Sequence, residues 1–461
     1  MIQLFRVFVP SSVVGLLISE ALLTLSCYLA ATVFDQGEEW QLFLFYEGGF
    51  AKVAAVTLSI ILGFYFTDLY DNVRVRYRAL LLQQVCLVLG VAFLIQGIIA
   101  YINPDWQLPR WTMIAGSALC LFLLPGWRVL YSRLVLQMMG AERVLFIGRS
   151  EAIRQIAQRI CERPELGFQA VGYLDSEDAP VDDFPCPSLG PVTKVKDVVK
   201  AMKPTRIVVG MSERRHRLPV YDLLDLTFSG IVIEESSRLY EIAFTRISIH
   251  ELRPSQLIFS RFGPRHRSLL VRSAVSFSLA LCGLVVASPV MLLVALAIKL
   301  ASRGPILFRQ TRVGLGNRPF TVYKFRSMYV DAEAETGAVW ATKDDPRVTP
   351  LGRWLRKLRL DELPQLFNVL KGEMAIVGPR PERPEFVQTL AEQIPFYRQR
   401  HSVLPGITGW AQINYKYGNT MEDTVVKLEY DLYYIKNTSL ALDFYIMFHT
   451  VKTMLLQRGA Q

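Results

Sequence analysis

Five long apolar runs constrain this chain more than anything else in it. Four precede any globular segment, at 7–34, 48–66, 79–101 and 111–130, and a fifth lies at 273–298. Each is long enough to cross a hydrocarbon core of roughly 30 Å, so the chain has to fold around a bilayer. The loops between the first four differ in charge. Arg6, then Arg74, Arg76 and Arg78, then Arg128 and Arg133 mark one side, and Asp35, Glu38, Glu39, Glu47 and Asp105 mark the other. Cationic loops stay in the cytoplasm, which puts both ends of a four-helix unit (1–135) there, while Lys52 and Arg110 sit near the outer ends and can snorkel. The first run is too long for a signal-peptide core and is not followed by a small-residue cleavage pattern, so it is expected to stay in the mature protein. Glu20 lies inside that run and is either a hydrogen-bond partner facing other helices or a functional group.

The bulk properties agree. The 461 residues are 51% hydrophobic with a formal charge of +10, which suits a membrane protein with a basic cytoplasmic face rather than a soluble enzyme or a nucleic-acid binder. Cys27, Cys86, Cys120, Cys161, Cys186 and Cys282 form no CxxC pair and have no histidine at ligand spacing, which argues against a zinc site and a disulfide framework.

From Arg143 the pattern changes to short apolar runs (RVLFIGRS, QAVGYLD, RIVVGMSE, GIVIEESS) separated by charged helical stretches. That alternation predicts a Rossmann-like α/β domain over 140–255. Gly148 follows the first strand, but the other glycines of a dinucleotide fingerprint are missing, so a structural or regulatory module without a catalytic cofactor is expected.

The fifth run has Arg261, Arg265, Arg267 and Arg272 before it and Lys299, Arg303, Arg309 and Arg312 after it, with Ser288 and Pro289 in its middle. Both flanks favour the cytoplasm, and a mid-helix proline can turn a helix back. The expectation is a re-entrant hairpin anchoring a third domain, 265–461. A kinked full span is the alternative. The segment 440–456 reads either as an amphipathic interfacial helix or as a packed surface helix.

Within that third domain, RKLRLDELPQLFNVLKGEMAIVGPRPER (356–383) places Asp361 and Glu362 at the expected start of a helix. Leu363, Leu366, Phe367 and Leu370 lie on one face, and Lys371 and Gly372 close it. A carboxylate at a helix start is held ionised by the positive end of the helix, which also attracts phosphate. Arg356, Arg380 and Arg383 surround the pair in sequence, and planar guanidinium forks suit a diphosphate. Lys324 and Arg326 alternate with aromatic or apolar neighbours in YKFRSM (323–328), as on one face of a half-buried strand. The plain alternatives are a helix cap for the acids, surface ion pairs for the arginines and a solvated strand face for the last two. Paired acids in KDDPRVT (343–349) read most simply as a turn, and Met421 to Asp423 as a helix start.

Three motifs, KFRSM (324–328), the long stretch 344–386 and LPGITGWAQIN (404–414), resemble the bacterial sugar transferase family of polyprenyl-phosphate sugar-1-phosphate transferases, also called monotopic phosphoglycosyl transferases. The resemblance covers about 265 to the end. The preceding domains resemble the long form of that family, and among long forms the subgroup accompanying exosortase systems. The resemblance implies a re-entrant helix kinked at Ser288 and Pro289, an Asp361–Glu362 dyad that is catalytic and holds Mg2+, and phosphate-binding arginines at Arg356 and Arg380. It further implies transfer of a sugar 1-phosphate from a UDP-sugar to undecaprenyl phosphate, with loss of UMP, through an aspartyl-phosphosugar intermediate. This would begin exopolysaccharide, capsule or O-antigen synthesis at the bacterial inner membrane and feed downstream glycosyltransferases. Membrane lipid is an expected partner and nucleic acid is not; the first two domains offer surfaces for a homodimer. Two alternative readings make different demands on the sequence. A membrane-bound nucleotide-sugar dehydratase needs a full glycine fingerprint and a Tyr-x-x-x-Lys pair, and a non-enzymatic assembly scaffold would not need the acids and arginines.

Overall fold

In the computed structural model, every residue is described except 1, 72, 74, 76, 139–140, 176–183, 211–217, 260–261, 264–265, 331, 333–344, 416–417, 419 and 457–461. Arg74, Arg76, Arg261, Arg265, Lys343 and Asp344, singled out above, therefore lie outside the described residues. The chain divides into two compact units, with the main boundary between Glu234 and Glu235; the first unit holds most of 1–234, and the tip of the N-terminal hairpin, Leu4–Val7, groups with the second.

The first unit begins with membrane-length helices α1 (Ser11–Gln36), α2 (Gly49–Phe66), α3 (Arg78–Ile102) and α4 (Arg110–Met138). Their facing sides carry Leu16, Tyr28, Val56, Ile60, Val85 and Val88, all at most 1% exposed. Outward residues such as Leu22, Leu58 and Leu94 stay open, as lipid-facing positions do. Glu20 is explained here. Arg128 Nε and Nη2 donate to its two oxygens at 2.7 and 2.9 Å, Nη1 donates to Leu69 O, and the guanidinium lies over the rings of Phe64 and Tyr70. An intramembrane acid with a bidentate partner is a packing device that fixes how α1 meets α4.

The α/β part follows as β1 (Glu142–Ile147), α5 (Glu151–Glu162), β2 (Phe168–Asp175), β3 (Ser188–Pro191), α6 (Val195–Met202), β4 (Arg206–Val209), α7 (Val220–Phe228) and β5 (Val232–Glu235). The strand order is β3-β2-β1-β4-β5, with β1 parallel to both β2 and β4. Val144 to Ile147 are fully buried because β1 is central and covered on both faces. Gly148 has φ +90° and turns the chain into α5, but Arg149 is paired with Asp175 at 2.6 Å, so the acid at the end of β2 is already engaged.

The second unit begins earlier than the sequence pattern indicates. Residues 235–253, expected in the α/β domain, pack here: Ile247 and Ile249 join its core, Glu429 accepts from Ile249 N and Trp410 Nε1 donates to Thr245 O. Its main elements are α8 (His266–Ala301), β6 (Leu307–Val313), β7 (Pro319–Phe325), α9 (Pro350–Lys357), α10 (Gln365–Leu370), β8 (Ala375–Val377), α11 (Pro384–Gln393), β9 (Gly406–Thr408), α12 (Met421–Asn437) and α13 (Leu440–Leu455). β6 and β7 form an antiparallel ribbon, and β8 pairs with β9 in parallel. Helix α8 is continuous through Ser288 and Pro289, with no interrupting loop. Ala280 packs with Val322 and Met374, and Val294 and Ile298 with Phe325 and Leu355. On α13, Leu442 and Ile446 are buried while Phe444, Phe448, Val451 and Met454 form an open apolar stripe.

Arg128→Met strands Glu20 in an apolar bundle and is expected to cost on the order of 3 kcal/mol. Thermal unfolding in detergent should show a lowered midpoint, recovered largely by Glu20→Leu/Arg128→Met. A single variant as stable as wild type would remove the pair from the account of this bundle.

Candidate active site

The acid pair sits in a turn built by its neighbours. Thr349 caps α9, its Oγ1 accepting from Gly352 N at 2.9 Å, and a side chain at Gly352 would meet Ser327 O at 2.0 Å, so the helix lies directly on the backbone that follows β7. Arg359 then adopts φ +58°, a left-handed residue that ends α9 and reverses the chain into a 3₁₀ turn, Leu360–Glu362. The helix starts at Gln365, not at Asp361 or Glu362 as the spacing predicts, because Arg359 and Pro364 hold the acids in a separate turn. Leu366 and Leu370 face the core, whereas Phe367 is 41% exposed. Lys371 and Gly372 do close the helix, with Gly372 at φ +74°. Buried Asn368 joins α10 to β7, donating to Thr321 O and accepting from Tyr323 N.

Charge divides the two acids into different roles. Glu362 Oε1 accepts from Lys324 Nζ and from Arg380 Nη2, each at 2.9 Å. Burial alone would raise its pKa, but Arg380 and Lys324, with Arg359 behind them, hold the carboxyl well below the ordinary range. Asp361 is 7% exposed, and its Oδ1 makes no hydrogen bond. Burial is the largest influence on it and pushes its pKa up, reinforced by Glu362 and opposed by Lys324, Arg356 and Arg380. The turn therefore holds one carboxylate fixed in an ion pair and one with an uncommitted oxygen.

Arg380 projects from a loop held by its backbone. Pro379 O accepts from Gly406 N at 2.9 Å, Arg380 O from Arg400 Nη2 at 3.0 Å, Pro381 O from Arg312 Nη1 at 3.2 Å and Glu382 O from Val313 N at 2.9 Å. Pro379 and Pro381 have fixed φ and no N–H to satisfy.

The remaining candidates separate. Lys324 and Arg380 meet at Glu362. Arg356 acts electrostatically on Asp361 while its Nε donates to Ser327 Oγ at 3.0 Å. Arg326 does not join them. It is 7% exposed and its guanidinium donates to Arg303 O, Ser302 O and Ser302 Oγ at 2.9, 3.1 and 2.6 Å, closing the end of α8. The strand stops at Phe325, so the alternation that would put Arg326 beside Lys324 stops with it. Arg383 precedes α11, facing Glu385 at 3.7 Å and the Phe386 ring. Ser288 donates to Val285 O within α8. Asp345 forms a turn with Arg347, at 2.8 and 2.6 Å, which lowers its pKa to about 2. Arg359 and Arg400 carry weight the motif reading misses; the run RKLR (356–359), three cations in four residues, is the available signal for the first, and nothing in the sequence marks the second as buried.

Among the described residues no three metal-ligating side chains cluster. The unpartnered Asp361 Oδ1 suits a cation whose other ligands are phosphate oxygens and water, as magnesium prefers, whereas Glu362 is already neutralised.

Arg326→Ala removes three charge-assisted bonds at the end of α8 and is expected to cost about 3 kcal/mol of stability. Thermal unfolding should register the loss. A variant with unchanged stability but weakened anion binding would return Arg326 to the phosphate site.

Comparison with known proteins agrees with this architecture. The family model for bacterial sugar transferase matches 267–457, and that for CoA-binding domain matches 65–217. A UDP-N-acetylgalactosamine-undecaprenyl-phosphate N-acetylgalactosaminephosphotransferase of Aeromonas hydrophila is 36% identical over 433 residues, 91% of this chain and 95% of that protein. A UDP-glucose:undecaprenyl-phosphate glucose-1-phosphate transferase of Escherichia coli (strain K12) is 35% identical, covering 87% of both. An undecaprenyl-phosphate glucose phosphotransferase of Komagataeibacter xylinus is 46% identical over 69% of this chain and 60% of that protein. With a transferase domain following membrane helices and an α/β domain in the sequence, and with two relatives matched over 95% and 87% of their length, the chain belongs to the bacterial sugar transferase family and is a phosphoglycosyl transferase.

Proposed function

We propose that this enzyme moves a sugar 1-phosphate from a UDP-sugar to undecaprenyl phosphate, releasing UMP, as the first membrane step of a surface polysaccharide pathway. The observation that carries the reading is the buried Asp361 carboxylate with one unpartnered oxygen, beside a Glu362 already held by Lys324 and Arg380. In the first step an Asp361 oxygen attacks the sugar-proximal phosphorus, and the bond from that phosphorus to the UMP oxygen breaks. In the second, an oxygen of undecaprenyl phosphate attacks the same phosphorus and the aspartyl bond breaks, regenerating the carboxylate. Arg380 and Arg356 face charge that builds on the phosphoryl oxygens, and Glu362 keeps Lys324 and Arg380 in place. Mg2+ held through Asp361 and the diphosphate would neutralise charge on the leaving nucleotide. The named relatives differ in their sugar, N-acetylgalactosamine or glucose, so the donor is left to experiment.

The membrane geometry is part of the proposal. We infer that α8 enters and leaves on the cytoplasmic side, bent at Ser288 and Pro289, with the transferase domain on that face of the inner membrane. Its two ends are fastened to the same unit: Arg272 to Asp443 and Tyr434, and Ser302 and Arg303 to Arg326. A straight helix of 36 residues would extend about 54 Å, which is hard to reconcile with domain contacts at both ends of a crossing. This arrangement leaves the polyprenyl tail in lipid while its phosphate reaches the acid turn.

With purified protein, magnesium and undecaprenyl phosphate, one donor among UDP-glucose, UDP-galactose and their N-acetylated forms should give UMP. Asp361→Asn should lower that rate roughly 10⁴-fold, and undiminished release would sink the covalent mechanism. Because its pKa is raised, Asp361 must lose a proton above the ordinary carboxylate range, so the rate should fall as pH drops through that value. Glu362→Gln removes a like charge and frees Lys324 and Arg380 to act on Asp361, so the acid limb should move to lower pH even as the rate falls. A limb moving upward contradicts the division of charge. For topology, Leu270→Cys and Leu300→Cys should both label from the cytoplasmic side in membrane vesicles; labelling from opposite sides would make α8 a full span.

A further inference from the structure

We propose that Arg400 is a positioning residue for the transfer reaction, acting through Arg380; this rests on the transferase reading above. Arg400 lies outside the acid turn, in the 3₁₀ segment Tyr397–Ser402, and is 6% exposed. Its guanidinium joins three groups from separate parts of the domain. Nη1 donates to Tyr397 Oη at 2.7 Å, Nη2 donates to Arg380 O at 3.0 Å, and Nη2 lies 2.8 Å from Asp431 Oδ2 on α12. Asp431 is 1% exposed, so the counter-ion of this buried cation is itself buried.

What separates this pair from an ordinary buried ion pair is where its third contact goes. Of the four successive loop carbonyls from Pro379 to Glu382, two are held by backbone N–H groups and two by arginine side chains. Arg312, which holds Pro381 O, is partly open to solvent and also faces Glu382. Arg400 holds the carbonyl of the residue whose side chain reaches Glu362. A continuous polar path thus runs from Asp431 through Arg400 to the Arg380 backbone, and from the Arg380 guanidinium to Glu362 and Lys324. Displacing the Arg380 carbonyl by a fraction of an ångström displaces its guanidinium relative to the phosphorus that Asp361 attacks, and misplacement of that size lowers rates strongly.

The test is a kinetic double-mutant cycle on the full-length enzyme in lipid nanodiscs, read by UMP release. Arg400→Lys keeps the charge opposite Asp431 but loses the fork that reaches both Tyr397 and Arg380. It should lower kcat roughly 10- to 100-fold while KM for the UDP-sugar changes less than about threefold. In an Arg380→Ala background the same substitution should cost less than about twofold, since the group it positions is gone. An equal loss in both backgrounds, or full activity of Arg400→Lys, overturns the proposal. Should Arg400→Lys fail to fold, Tyr397→Phe removes a single bond to the same guanidinium and enters the same cycle, with a smaller loss expected that again vanishes without Arg380; equal factors overturn it there too. A wild-type enzyme that releases no UMP with any donor overturns the transferase reading and this proposal together. An active wild type with a background-independent loss overturns only the positioning role.

Discussion

Two carboxylates on successive buried residues repel each other by about 4 kcal/mol at 4 Å in a medium of effective dielectric near 20. They coexist in this turn because two cations are fixed on one oxygen of Glu362, Lys324 from β7 and Arg380 from the loop after β8. That arrangement leaves the neighbouring Asp361 without a dedicated ion pair and with an oxygen free of hydrogen bonds. A nucleophile held by its own tight salt bridge would have to break it on each turnover. Placing the counter-ions on the adjacent acid provides a positive site without tying up the Asp361 oxygen proposed to attack. The surrounding structure keeps those cations in place: Asn368 fastens α10 to the strand that supplies Lys324, and the carbonyl-pinned loop supplies Arg380.

The end of β7 also connects the site to the membrane element. Lys324 reaches Glu362, Phe325 packs with Val294 and Ile298 of α8, and Arg326 bonds Ser302 and Arg303 at the close of that helix. Three consecutive residues thus bind the acid turn, the buried face of α8 and its C-terminal end. Gly304, at φ +123°, has no side chain where the Arg326 guanidinium lies; a Cβ there would come within 2.1 Å of it. A shift of α8 would be felt at Lys324 through a chain only two residues long, which fits an enzyme proposed to hold one substrate in lipid and the other in water.

Much of this was legible in sequence, and the misreadings have physical causes. The apolar runs, four of the α/β strands and the Asp361–Glu362 pair all rest on periodicity or local chemistry, which the chain displays directly. The remaining strand, β3 (Ser188–Pro191), is a four-residue edge strand of sequence SLGP, too short and too poor in apolar residues to show a run. Strand alternation groups Arg326 with Lys324 only while the strand lasts, and the strand ends at Phe325. The sequence points to a helix start at Asp361 because no local signal announces Arg359 at positive φ, a conformation enforced by tertiary context. Residues 235–253 look like a continuation of the α/β alternation, yet their partners Trp410 and Glu429 lie more than 160 residues further on. Long-range partners are what single-sequence patterns cannot register.

The three arginines that sequence proximity suggested would converge show why composition alone cannot define a phosphate site. Arg380 and Arg383 are three residues apart, yet Arg380 reaches Glu362 while Arg383 lies beside Glu385 and Phe386. The intervening carbonyls of Pro381 and Glu382 are held by Arg312 and Val313, so the chain between the two arginines is fixed rather than free to bring both forward. Pro384 then opens α11 and sets Arg383 at its N-terminal flank, beside Glu385 and Phe386. A rigid loop can present one guanidinium in a fixed orientation at the cost of excluding its neighbour. For a transition state that spreads charge over phosphoryl oxygens, one preorganised donor is worth more than two that must be ordered each time, because its ordering is completed when the protein folds.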